Sequence, residues 1–222
     1  MTHIRTSLAI ILMVAVAASF GAAAEPLPGG PSGHPVRALP GIPPVATVPL
    51  ASEALYDLAL VNMYAEFDPA AYEAAIIADA WLVTTASDPV VMRCHGNFKQ
   101  MTITSSQRDL AFRYVPPYFW FYNIEPGETR ITFTYRVRHD GFSTPGAVIA
   151  PNRLALDRLA FWYPRNIASD PHQVILNLVT DPGYPVYANA SLTRDIPNNR
   201  RRLRTFVLRT PSAGGLELRS TP

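Results

Sequence analysis

His139 and Asp140 are adjacent, with Ser143 just downstream, and Asp170 stands close before His172. A histidine, a carboxylate and a hydroxyl are the ingredients of acid–base and nucleophilic catalysis, but geometry rather than residue type makes them work. Neighbours on a strand point to opposite faces, so these side chains read as ordinary strand-end and turn polars. A metal site needs ligands that converge. His3, His34 and His95 are scattered, and no H-E-x-x-H sets two imidazoles and a general base on one helical turn. The one cysteine, Cys94, supplies no thiolate pair and reads as a buried structural thiol. G-x-S-x-G, P-loop and G-x-G-x-x-G patterns are absent too. The sequence predicts no catalytic residue, no metal and no cofactor.

Binding chemistry is better represented. "YFWFY" (118–122) carries Trp120 and Tyr122, and "LAFWYPRN" (159–166) carries Trp162 and Tyr163 ahead of Pro164. As a flat exposed row such rings bind sugars or peptides. Packed inward they act as a wedge, the preferred reading for Trp162 and Tyr163. "NNRRRLR" (198–204) gathers Arg200, Arg201 and Arg202. It reads as a solvated hairpin tip, with an acidic protein or anionic lipid headgroups as the alternative contact. Nucleic acid is a poor partner, because no aromatic platform is interleaved with the arginines and the net charge is only +2.

These residues need elements to hold them. In "RITFTYRVRH" (130–139), Ile131, Phe133, Tyr135 and Val137 alternate with polar residues, the period of a half-buried antiparallel strand. Pro126 and Gly127 make a turn before it. Further strands are predicted at 56–67, 74–85, 118–123, 173–180, 185–192, 203–209 and 215–219, with weaker ones at 90–94, 101–104 and 110–115. "DPAAY" joins the first two, and "DPGY" (181–184) marks a reversal into 185–192. Only the alanines of 69–80 suggest helix. Many short strands separated by turn residues predict an all-β chain, an antiparallel β-sandwich over residues 51–222.

Two segments lie outside that domain. Arg5 followed by the apolar run 8–20 and "AAA" at 22–24 has the layout of a cleaved signal peptide, residues 1–24. The run from Leu8 to Ala24 is at the short limit for spanning a bilayer. Residues 25–50 hold 8 of the 22 prolines and few large apolar side chains, the composition of a semi-stiff disordered tether.

Three stretches in order, "IAPNRLALDRLAFWYPR" (149–165), "QVILNLVTDPGYPVYANASL" (173–192) and "RTFVLRTPSAGGLELRS" (204–220), resemble the N-terminal β-sandwich domain of the aminopeptidase-N-like zinc metallopeptidases. Residues 55–83 are similar to that family's opening hairpin, and 124–141 to its long central strand. The sequence departs at Asn189 and Ala190, where the family favours glycine. The family's chemistry resides in a following catalytic domain whose zinc motif is not found here, so the resemblance transfers no catalytic residue. It implies a scaffold domain that packs on a peptidase.

The expectation is an exported, periplasmic or secreted, non-catalytic β-sandwich that binds an exported protein or self-associates. A carbohydrate- or peptide-binding module is the alternative, and an unrecognised hydrolase a more distant one.

Overall fold

The computed structural model describes residues 33–40, 56–85, 89–142, 144–166, 171–209 and 215–221, all within one compact unit. The predicted signal peptide lies outside the described residues. In chain order the strands are β1 (His34–Pro35), β2 (Arg37–Ala38), β3 (Tyr56–Asp68), β4 (Glu73–Thr84), β5 (Val90–Arg93), β6 (Asn97–Ser105), β7 (Ala111–Val115), β8 (Tyr118–Tyr122) and β9 (Gly127–Arg138). They continue with β10 (Ala147–Ala150), β11 (Arg153–Leu156), β12 (Arg165–Asn166), β13 (Gln173–Thr180), β14 (Tyr187–Ala188), β15 (Ser191–Pro197), β16 (Arg202–Leu208) and β17 (Leu218–Arg219). A single 3-10 turn, Arg158–Ala160, is the one helical element described.

The strands form three sheets. The largest has the order β1-β6-β9-β4-β3-β13-β16-β15, beside sheets ordered β12-β5-β8-β7-β2 and β10-β11-β17-β14. The spine of the large sheet is β4, paired along its whole length with β3 on one side and β9 on the other. Its alternation buries Ala74, Ile76, Ala78, Ala80 and Leu82, so period two overrides the alanine-rich hint of helix at 69–80. The small sheet closes over the inner face of the large one. Phe119 and Phe121 of β8 meet Phe133 of β9 edge-to-face at 5.5 and 5.9 Å, and the third sheet adds Ile149, Leu154, Leu156 and Leu218 to the same core. The fold is an all-β sandwich.

Three features differ from the local reading. First, β3 and β13 pair parallel, Leu60 opposite Gln173 through Glu66 opposite Val179, so the sheet is mixed. Second, "DPGY" does not close a hairpin. The chain leaves the large sheet there: Tyr184 is buried and donates its hydroxyl to the Ala150 carbonyl (2.9 Å), while its own carbonyl accepts from Arg204 (2.8 Å). The predicted strand 185–192 is accordingly split between β14, in the third sheet, and β15, in the large one. Third, residues 33–40 of the proline-rich tether are paired as β1 and β2 with β6 and β7. Composition sets the average cost of ordering a segment, and a few good main-chain partners can offset it locally.

Candidate docking surface

The aromatics of "LAFWYPRN" form an internal latch. Trp162 and Tyr163 are each 1% exposed and pack edge-to-face, centroids 4.9 Å apart. Indole Nε1 of Trp162 donates to the Leu216 carbonyl (3.1 Å), and the Tyr163 hydroxyl accepts from Leu216 N–H (3.0 Å) while lying 3.1 Å from His172 Nε2. Burial raises the pKa of Tyr163, an effect opposed by the Arg165 guanidinium and the Leu216 N–H. Phe161, at a left-handed φ of 49°, ends the 3-10 turn and has two guanidinium groups over its ring, Arg93 at 4.1 Å and Arg165 at 4.2 Å from the centroid. β12 then joins β5. The segment thus ties the C-terminal strands to the small sheet.

The other candidates are equally occupied. Trp120 is 5% exposed within β8, and Tyr122 is half-buried with the Arg113 guanidinium 5.7 Å from its ring. Arg200 is exposed, but Arg201 pairs with Glu66 (2.6 Å) and Asp181 (3.6 Å), and Arg202 forms two hydrogen bonds to the Asp195 carboxylate. The cluster at the β15–β16 hairpin tip is therefore largely internally compensated.

Among the described residues the histidines and carboxylates do not converge on one site. Ser143 and Asp170 lie outside the described residues, and among those described no three His, Cys, Asp or Glu side chains are grouped to hold a metal ion. His95 accepts from Arg93 Nε (2.9 Å), and burial, with help from that guanidinium, lowers its pKa. His139 is fully buried, whereas Asp140 turns to Arg138 (3.3 Å). Cys94 is buried beside the Tyr135 hydroxyl, and burial pushes its thiol pKa up to about 12. Native protein at pH 8 is expected to leave Cys94 unlabelled by a thiol reagent such as DTNB for hours, with full labelling in guanidinium. Stoichiometric labelling of the folded chain within minutes would refute this burial.

One end of the large sheet has a different character. There the β3–β4 turn, the exit from β9 and the β15–β16 tip come together. The Tyr72 carbonyl accepts from His139 N–H (2.8 Å), and Arg138 lies 5.7 Å from the Tyr72 ring. Phe142 is 93% exposed on a turn fixed by its N–H donating to Asp140 Oδ1 (2.9 Å). Gly146 of the same loop accepts from Asp157 N–H, and Asp157 caps the 3-10 turn that carries Leu159, 72% exposed. The same end of the sheet carries the pairs Lys99–Glu73, Arg138–Asp140 and Glu66–Arg201–Asp181. Exposed apolar tips and ion-paired side chains at one end of a sheet make a surface suited to protein contact. Sequence reading missed Tyr72, Phe142 and Leu159. The available signal was "HDGFSTPG", a large aromatic amid turn residues, where a core position is least expected.

No protein-family model and no curated protein matches the sequence. Among solved structures the fold is similar to the M1 zinc metallopeptidase from Deinococcus radiodurans bound to a Tyr-Ser-Ala substrate, with a TM-score of 0.60 and 13% identity over 74% of this chain and 42% of that one. The same enzyme in another structure gives 0.59 and 14%, over 74% and 41%. A two-domain M1 zinc metallopeptidase bound to L-tryptophan gives 0.57 and 12%, over 75% and 43%. What is shared is a fold, that of the N-terminal β-sandwich domain, as the sequence resemblance predicts. This chain spans about two-fifths of the length of those structures.

Proposed function

We propose that this chain is an exported, non-catalytic β-sandwich that binds a protein, with the Tyr72–Phe142–Leu159 end as its docking surface. The observation that carries the proposal is Phe142, a large aromatic held almost wholly in solvent on a hydrogen-bonded turn whose Asp140 pairs with Arg138. Export rests on the layout of residues 1–24, and the scaffold role on the similarity to a peptidase's non-catalytic domain. The preferred partner is another exported chain, including one that bears a peptidase-like half, or a second copy of this one. A sugar platform finds less support: Trp120, Trp162 and Tyr163 are in the core, and the exposed aromatics Tyr72, Trp81, Phe142 and Tyr187 stand on separate segments.

Capture from the exported fraction of the native host, with sizing of the pure protein, tests this. The native chain should retain a partner or itself, and Phe142→Asp should weaken that retention at least tenfold while leaving the unfolding midpoint unchanged; tenfold is about 1.4 kcal/mol, modest for a central interface aromatic. A monomer that retains nothing yet binds one glycan class on an array would establish the carbohydrate reading instead.

A further inference from the structure

Residues 33–40 run as a strap down the side of the sandwich where β6 and β7 are open edges. β1 lies antiparallel to the end of β6, with His34 opposite Ser105 and Pro35 opposite Thr104. Val36 N–H donates to the Ile103 carbonyl (2.9 Å), and the strap then crosses to the other sheet. There β2 runs parallel to β7, with Arg37 N–H donating to Leu110 (3.1 Å) and Leu39 N–H to Phe112 (2.7 Å). Two sheets are thus bridged by one extended segment.

The fit is selective. A Cβ on Gly33 would meet the Ser105 carbonyl oxygen at 2.8 Å, so the backbone approaches there only as glycine. Pro35 has no N–H to offer and is tolerated because it lies on an outer edge. Val36 packs against the core and Leu39 is half-buried, while the other six residues of the strap are exposed. Main-chain hydrogen bonds supply the hold and two apolar side chains supply the selectivity, which is how strand-addition peptide sites work. The hold is also thin. A ligand that keeps six of its eight residues in solvent and pairs with each sheet through only a two-residue strand buries little area against its site, and its prolines keep it extended when released.

We propose that the seam between β6 and β7 is a strand-acceptor site for an extended Gly-x-Pro-Val-x-x-Leu segment of a protein partner, and that residues 33–40 are its resident competitor. This rests on the reading of the chain as a protein-binding module and adds a second surface to it. Covalent linkage gives the strap an effective concentration of order millimolar, so the seam is masked until the strap is displaced.

The probe is a fluorescein-labelled octapeptide with the sequence of residues 33–40, followed by anisotropy on full-length protein. Val36→Asp places a carboxylate against the apolar seam and should release the strap. That variant should bind the peptide at least tenfold more tightly than the native chain, and a peptide carrying aspartate at the valine position should not bind. A second full-length chain, Val36→Gly with Leu39→Gly, should behave the same way and covers the case in which the buried charge disturbs the fold. Amide shifts on titration should centre on Ile103, Leu110 and Phe112, and Phe142→Asp should leave peptide affinity unchanged. No binding to either released chain, equal binding by native and released chains, or indifference to the aspartate peptide would each overturn the proposal. If Phe142→Asp still abolishes partner retention in that event, only the seam is lost and the docking end stands.

Discussion

Lowering the pH from 6.5 to 4 is expected to remove about 3 kcal/mol of unfolding free energy through His139 alone. The residue is fully buried. Its backbone N–H donates to Tyr72 and its carbonyl accepts from Ile149 N–H (both 2.8 Å), while neither ring nitrogen has a hydrogen-bond partner. Burial therefore drives the imidazole pKa from 6.5 to about 4, against the smaller upward pull of Asp140. Between those values the unfolded chain binds a proton that the folded chain refuses. Stability is full above pH 6.5, falls by at most about 1.4 kcal/mol per pH unit through the window, and levels off near pH 4. His95, also lowered by burial, adds to the slope, whereas the lowered pKa of Asp195, caused by its hydrogen bond to Arg202, acts only below the ordinary carboxylate range. His139→Leu should keep native-like stability at pH 7 and flatten most of the loss. Urea unfolding of both chains at pH 7, 5.5 and 4.5 decides the matter, and parallel losses would remove His139 as the source.

Trp162→Ala should cost about 3–5 kcal/mol, a large part of the stability of an ordinary domain. The side chain is among the largest fully buried ones, and its loss opens a cavity and strands the Leu216 carbonyl. Tyr163→Phe, which keeps the ring, should cost about 1–3 kcal/mol, because the Leu216 N–H then loses its buried acceptor. The two should be less than additive, since they hold the same residue. Gly215 offers an independent test of the latch. It has φ +71°, and a Cβ there would sit 2.3 Å from the Tyr163 hydroxyl and 2.4 Å from an Arg165 nitrogen. Gly215→Ala should therefore destabilise even though it only adds a methyl group. Trp162→Ala unfolding at the native midpoint would show that the ring is not the wedge described.

Much of the sandwich was legible because burial on one face writes itself into alternation: β9, β13 and the β3–β4 hairpin stand where the pattern put them. Pairing was not legible. Nothing in "QVILNLVT" indicates that its partner is β3 rather than the following segment, because the choice is made by Tyr184 reaching Ala150 and by the return of β16. The strap was hidden by its prolines, since composition reports an average and Val36 acts individually. The inward wedge could be anticipated from Trp162 and Tyr163 as a pair too large and apolar for a surface turn. The proposed docking end could not, as isolated exposed residues such as Phe142 and Leu159 have no period to betray them.

The parallel contact between β3 and β13 also orders events in time. As the chain emerges N-terminus first, the β3–β4 hairpin can form from adjacent segments and β9 can join it once residues 127–138 are out, but the far side of β3 must wait until residues 173–180 arrive. Until then its unpaired backbone and apolar side chains are an open template for mispairing. Contacts so distant in sequence are slow to form. The young chain therefore passes through an interval in which half of its central sheet is finished and adhesive, and its yield depends on whatever shields that edge during synthesis.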